Sequence, residues 1–304
     1  MLNISERYKQ WINAKRKLTR STSNRASGFH PYCVRYMYEQ RTNWDKAELP
    51  DIELQSIFKL GNDFERLALE ELSFLGFSCV HQQKDLFNEQ YNISGHPDVY
   101  IEIDKKLIPC DIKSISGNIF VLLQENDVES IITQNSWYYE KWINQILLYA
   151  WMSEAEYGLL LVKSKQNGLY KEYEVNVANN ETRLNKLLEI ANIINLAVEQ
   201  KTPPPTIDNI DVCIRCEYFD RSCFPCLQYS DNAIFVQDKE LLDLLWLRYL
   251  LEDEGRAFNK YDARIKELLK VKHPEICTII IDDEFIIERK EFGKDRTKIE
   301  ITKI

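Results

Sequence analysis

Between Asp98 and Lys113 the chain carries two short runs rich in alternating and β-branched residues, one on each side of a turn. No other feature constrains the fold as much. Asp98-Val99-Tyr100-Ile101-Glu102-Ile103 reads as one strand, Asp104-Lys105-Lys106 as the turn, and Leu107-Ile108-Pro109-Cys110-Asp111-Ile112-Lys113 as the returning strand. Side chains two apart in a strand share a face, so Asp111 and Lys113 project together while Cys110 and Ile112 point into a core. The turn brings Asp98 back beside them. Two acids and one lysine converge on a single patch.

Helical periods flank this hairpin. Leu54, Ile57, Phe58, Leu60, Phe64, Leu67, Ala68 and Leu72 recur at helical spacing over Glu53–Leu75, and an aromatic-rich helix is expected from about Asn135 to Ser153. Tyr157–Val162 and Leu169–Val177 read as two more strands, and Glu181–Gln200 as a helix that stops before Pro203-Pro204-Pro205. Upstream, 1–18 is expected to be helical and Thr19–Ser27 a Ser/Thr-rich loop. Downstream, Lys239–Leu251 and Tyr261–Val271 read as a helical pair. Cys277–Ile281 and Glu284–Arg289 then form a hairpin around Asp282-Asp283. The order predicts an α/β core with an attachment at each end.

With 304 residues and 44% hydrophobic content the chain can bury a sizeable core, as one large or two modest domains. No apolar run approaches the roughly 20 residues of a membrane span. No secretory pattern is visible at the start, so a cytoplasmic location is expected. The net charge of −9 argues against a polyanionic partner, yet the first 41 residues hold nine basic side chains against Glu6 and Glu39. That segment, at +7, is a candidate polyanion-facing end. A solvated helix face accounts for the charge equally well.

Eight cysteines in a reducing compartment are not expected to pair as disulfides. Cys79, Cys110 and Cys277 lie in apolar, strand-like settings and read as core thiols. Cys213, Cys216, Cys223 and Cys226 fall close together in Cys-x2-Cys-x6-Cys-x2-Cys spacing, which points to a metal.

Hard oxygen ligands such as Asp98 and Asp111 suit Mg²⁺ or Mn²⁺ with room left for water, and such an ion activates water and neutralises phosphoryl charge. A neighbouring lysine could orient or deprotonate that water. An isolated Asp-x-Lys is explained as well by ordinary surface charges. Further blocks accompany it here, however. Gly61 and Glu65 sit upstream on a helix, Gly95 precedes Asp98, and Gln145 and Tyr149 share one helical face downstream.

In this order the four blocks resemble the RecB-like branch of the PD-(D/E)XK nuclease superfamily, with its Gly-x3-His/Glu, Gly-x2-Asp, Asp/Glu-x-Lys and Gln-x3-Tyr pattern. Glu65 stands where many members have His. The resemblance implies a restriction-endonuclease-like core, a mixed central sheet flanked by helices. It implies Mg or Mn held by Glu65, Asp98, Asp111 and the Ile112 carbonyl. Lys113 would assist the attacking water, and Gln145 and Tyr149 would support the site and contact DNA.

Some members, among them the CRISPR-adaptation nucleases and the AddB nuclease domain, carry a [4Fe–4S] cluster ligated by one early and three late cysteines. Cys33, Cys213, Cys216 and Cys223 resemble that set, with Cys226 an alternative fourth ligand. The compact quartet Cys213, Cys216, Cys223 and Cys226 equally suits Zn²⁺. Cys33 tilts the choice towards the cluster. Such a clip would place the basic segment against the core, offering Arg25 and Arg35 to phosphates and Tyr32, Tyr36 and Tyr38 to unpaired bases.

The expected organisation is therefore a basic segment (1–52) contributing Cys33, a nuclease core (53–202), a cysteine segment (203–230) and a helical and hairpin extension (231–304). The expected activity is metal-dependent hydrolysis of DNA ends or single strands in recombination, replication or repair, of the kind phage-type nucleases perform. Two alternatives stand beside it: a CRISPR spacer-acquisition nuclease, and a non-catalytic DNA-binding protein with a structural metal clip. A homo-oligomer or a recombination or replication partner protein is compatible with either.

Overall fold

The structure is a computed structural model. It describes residues 3–29, 33–133, 137–207, 209–213, 215–225, 233–236, 238–251, 255–272, 278–281, 284–291 and 297–303. The chain divides into two compact units, Met1–Ile207 with Arg215–Pro225, and Asp208–Ile214 with Cys226–Ile304.

The first unit runs α1 (Ile4–Asn13), β1 (Asn24–Arg25), α2 (Val34–Thr42), α3 (Ile52–Phe74), β2 (Ser78–Val80), β3 (Leu86–Asn88), β4 (Ile93–Gly95), β5 (Val99–Ile103), β6 (Lys106–Ile115), α4 (Gly117–Phe120), α5 (Val128–Thr133), α6 (Trp137–Met152), β7 (Tyr157–Ser164), β8 (Tyr170–Asn176) and α7 (Glu181–Gln200). Five strands form one sheet in the order β2-β5-β6-β7-β8. The β6–β7 pair is parallel and the others antiparallel, so the sheet is mixed. Of the expected fold, the mixed sheet flanked by helices is present.

Helices cover both faces of this sheet. On one face Ala68 and Leu72 of α3 pack against Val99, Ile101, Cys110, Ile112 and Leu161. On the other, Ile143, Ile146 and Leu147 of α6 pack with Leu160, Val162, Tyr173 and Val175. The alternation expected of β6 is thus realised, except that both of its faces are covered. Asp111 is 1% exposed rather than displayed on a surface. α3 is well delimited: the Asp51 carboxylate accepts from the Leu54 N–H at 2.7 Å, and Gly76 (φ +88°) ends it in the left-handed turn that glycine tolerates.

Two expectations for the N-terminal segment are corrected. The first helix stops at Asn13, and Arg16 turns back to donate to the Pro50 carbonyl at 2.5 Å. The expected loop Thr19–Ser27 contains β1, which pairs in parallel with β4 in a second sheet, β1-β4-β3. A polar network secures β1. Asn24 is buried and its side chain donates to Tyr91 O at 3.0 Å and to Asn195 Oδ1 at 3.1 Å, while Arg41 of α2 donates to Asn195 Oδ1 at 2.6 Å. Buried polar groups satisfied in this way specify one arrangement of the segments they join.

The second unit contains α8 (Ile210–Cys213), β9 (Ala233–Val236), α9 (Lys239–Leu250), α10 (Gly255–Lys272), β10 (Thr278–Ile281), β11 (Phe285–Glu291) and β12 (Thr297–Lys303). The helical pair and the β10–β11 hairpin are present as expected, except that α10 begins at Gly255 rather than Tyr261. The turn Asp282-Asp283 lies outside the described residues. Two further strands widen the hairpin into a four-stranded sheet, β12-β11-β10-β9, over a core that includes Leu241, Leu245, Ile265, Leu269 and Phe285. No described helix is long and apolar enough to cross a membrane.

Candidate active site

Asp98 sits at the last position before β5, one step beyond the Val99–Cys110 pairing, and its Oδ2 accepts from the Ile112 N–H at 2.7 Å. That bond pins the carboxylate across the hairpin, beside Asp111. The Asp111 Oδ1 accepts from Gln145 Nε2 at 3.0 Å, and the same nitrogen donates to the Tyr149 hydroxyl at 2.9 Å. Gln145 and Tyr149, one turn apart on α6, therefore act together to hold Asp111. The Asp111 Oδ2 faces the Lys113 ammonium at 2.7 Å and, that ion pair aside, has no hydrogen-bond partner.

Glu65 projects from α3 and joins this group through Gln83. The Gln83 Nε2 donates to Glu65 Oε1 at 2.8 Å and to Asp98 Oδ1 at 3.1 Å. Gln83 thus links Glu65 to Asp98, and the carboxylates of this group act on one another. Burial raises the Asp111 pKa, Lys113 opposes it, and Asp98 and Glu65 add to it, so that the carboxyl is pushed up to about 7. Burial and then Asp98 also raise Glu65. For Lys113 burial acts downward, but Asp111 and Asp98 outweigh it and the net shift is upward.

Of these groups Asp98, Asp111, Lys113, Gln145 and Tyr149 line a cleft of about 710 Å³, whose walls also include Gly95, His96, Arg20, Arg25 and the hydroxyls of Ser23 and Ser94. The parallel β1–β4 pairing carries the basic segment to this wall, because β4 runs directly into His96-Pro97-Asp98. Arg20, Ser23, Ser94, His96 and Gln83 were not among the residues singled out from the sequence. Only the positive charge of 1–41 signalled part of that wall.

Gly95 has a steric reason to be glycine. An added Cβ would lie 2.4 Å from Tyr149 Cε1 and 3.2 Å from the Ala26 Cβ. Gly61 has none, since a Cβ there meets nothing within 4 Å.

Other residues singled out from the sequence lie elsewhere. Arg35 donates to Glu39, which is fully buried, and to the Pro204 carbonyl at 3.1 Å. The half-buried Tyr36 donates its hydroxyl to Glu217 at 2.9 Å, and Tyr38 is buried. Neither Arg35 nor Tyr36 lines the cleft. Tyr32 lies outside the described residues.

Of the cysteines, Cys33 precedes α2 and is half-buried; Cys216 and Cys223 bracket a tight turn in which the Phe219 N–H donates to Cys216 O and the Asp220 N–H to Cys223 O. Burial pushes the Cys216 thiol up to about 12, the Tyr218 backbone opposes this, and Glu217, Cys33 and Cys223 add to it. Cys213 ends α8 in the second unit. Cys226 and Cys277 lie outside the described residues. Among the described residues, no three His, Cys, Asp or Glu side chains are already drawn together in a metal-holding arrangement.

No protein-family model matches the chain, and no curated protein matches it. Among the solved structures that resemble it in part are two of differing coverage. The crystal structure of SSO0001 shares 17% identity over 71% of this chain and 93% of that one, with a TM-score of 0.43. An alkaline exonuclease from Laribacter hongkongensis shares 14% identity over 64% of this chain and 97% of that one, with a TM-score of 0.35. At these scores the likeness is partial, and the functional reading rests on the residues of the site.

Proposed function

We propose that the chain is a divalent-metal-dependent deoxyribonuclease acting on DNA ends or single strands, with a role in recombination, replication or repair. The observation that carries this reading is the meeting of Asp98, Asp111 and Lys113 in one cleft that also presents Arg20 and Arg25, with Glu65 joined to Asp98 through Gln83.

The residues fit a hard cation. Asp111 Oδ2 is buried and faces Lys113, and Gln83 joins the Asp98 carboxylate to that of Glu65. Oxygen donors of this kind suit Mg²⁺ or Mn²⁺. Asp98, Asp111, Glu65 and the Ile112 carbonyl would hold the ion. When bound, it supplies charge for the phosphoryl oxygens and lowers the pKa of a water. Lys113, kept protonated by its carboxylate neighbours, donates to the attacking water or to a phosphate oxygen. Gln145 keeps Asp111 in place and Tyr149 backs Gln145. Arg20 and Arg25 offer donors to the phosphodiester backbone along the cleft.

We further propose that Cys33, Cys216 and Cys223 supply three of the four thiolates of a cysteine-held cofactor, a [4Fe–4S] cluster in preference to Zn. Thiolates are the donors that both require. Anaerobic purification followed by metal analysis tests this. A brown protein with about four irons per chain supports the cluster. Stoichiometric zinc would replace it.

The nuclease reading is tested with end-labelled single- and double-stranded DNA and added Mn²⁺. The native chain is expected to release labelled products, and Asp111→Asn to do so at least about 10²-fold more slowly. Equal rates for the two would overturn the reading. DNA retention without cleavage by the native chain would instead favour a binding protein.

A further inference from the structure

We infer that Gln83 gates the metal position, its carboxamide occupying the place that a divalent cation shared by Glu65 and Asp98 would take. The inference rests on the metal-dependent reading above and deepens it. Gln83 belongs to the turn between β2 and β3, and its backbone is left-handed (φ +52°), as is that of His81 (φ +53°). Such a conformation is unfavourable for a residue with a Cβ and persists where the surroundings impose it. Here the Gln83 N–H donates to the Asp98 carbonyl at 3.2 Å and the Lys84 N–H to the His81 carbonyl at 3.3 Å. The turn is therefore fastened to the residue that its side chain also reaches.

Ionised carboxylates only accept hydrogen bonds, so the amide presents its NH2 group to them. Both hydrogens are engaged, one with Glu65 Oε1 at 2.8 Å and one with Asp98 Oδ1 at 3.1 Å. An Mg²⁺ shared by the same two oxygens would sit about 2.0–2.1 Å from each. That position leaves no room for an NH2 group donating to both. The amide and the cation exclude one another. Gln83 is exposed, so the displaced amide turns into water and recovers its hydrogen bonds there. In the absence of metal the amide screens two carboxylates that repel each other; when metal arrives, it must first be released. The gate therefore lowers the affinity of the site and leaves its ligand set unchanged.

The test measures Mn²⁺ binding to the full chain by calorimetry and by loss of the free-ion resonance signal, without DNA. Native protein, Asp98→Asn, Gln83→Ala and Gln83→Leu are compared. Gln83→Ala and Gln83→Leu are expected to bind Mn²⁺ about three- to tenfold more tightly than native, by removal of the competing donor. Damage to the turn would weaken binding, so tightening cannot arise from misfolding, and the bulkier Leu guards against collapse in the Ala variant. Binding that Asp98→Asn abolishes but both Gln83 variants leave unchanged or weakened would overturn the gate alone. No Mn²⁺ binding by the native chain, or binding indifferent to Asp98→Asn, would overturn the metal reading and the gate with it.

Discussion

Gly95 and Tyr149 are in such close contact that a single methyl group on Gly95 would sit 2.4 Å from the Tyr149 ring. This contact joins the approach to Asp98 to the helix that holds Asp111, so the two carboxylates are placed by one piece of packing. The Tyr149 hydroxyl on that same ring accepts from Gln145, whose amide also donates to Asp111.

Gly95→Ala is expected to push the Tyr149 ring off Gln145 and to cost about 1–3 kcal/mol of stability, the usual penalty of overpacking. Thermal melting reads the stability, and the rate of Mn²⁺-dependent cleavage should fall with it. In a double-mutant cycle the costs of Gly95→Ala and Tyr149→Ala should be less than additive, because Tyr149→Ala removes the clash; strictly additive costs would refute the packing.

Gln145→Leu removes the donor to a buried carboxylate oxygen. A destabilisation of about 1–3 kcal/mol is expected from the unsatisfied Asp111 Oδ1. Urea unfolding measures it, and a stability equal to native would contradict the geometry.

The raised Asp111 pKa gives a signed pH dependence. The folded chain binds this proton up to about pH 7, whereas the unfolded carboxyl releases it near pH 4. Between those values the folded state holds more protons, so this group's contribution to stability falls as pH rises. Metal binding needs the carboxylate, so Mn²⁺ affinity should climb through the same window with proton release. Stability and Mn²⁺ titrations from pH 5 to 8 check both trends, and Asp111→Asn should flatten them.

Arg20→Ala and Arg25→Ala should weaken DNA binding without sequence preference. Each should lower the salt slope by about one unit for every phosphate that is no longer neutralised. Arg35→Ala should leave the slope unchanged, because its guanidinium is committed to Glu39 and Pro204, and should instead lower the melting temperature. Fluorescence anisotropy at several salt concentrations separates the two behaviours.

Much of the core was legible in the chain. The period-two runs around Asp104 place β5 and β6 within a residue or two, and their alternation assigns Asp111 and Lys113 to one face. The spacing of Gln145 and Tyr149 gives their common helical side. These features depend on neighbours a few positions apart, and local geometry transmits them directly into structure. β1 and β4 were not legible, being two or three residues long, too short for any period to show.

Charge was a weaker guide than pattern. The basic segment predicted residues facing a polyanion, but a cation's destination depends on which acid or carbonyl the fold brings to it. Arg35 and Arg41 are spent on internal partners, while Arg20 and Arg25 reach the cleft. Gln83 had no signal at all, since an exposed glutamine in a polar turn resembles any other.

By itself the sequence determined β5, β6, α6 and the faces on which Asp111, Lys113, Gln145 and Tyr149 lie, because each follows from short-range backbone periodicity. Tertiary structure alone decided that Asp111 is buried, that Gly95 must yield space to Tyr149, and that Gln83 bridges Glu65 and Asp98. Those relations join segments distant in the chain, and their energies arise from desolvation, close packing and hydrogen bonding that exist once the segments have met.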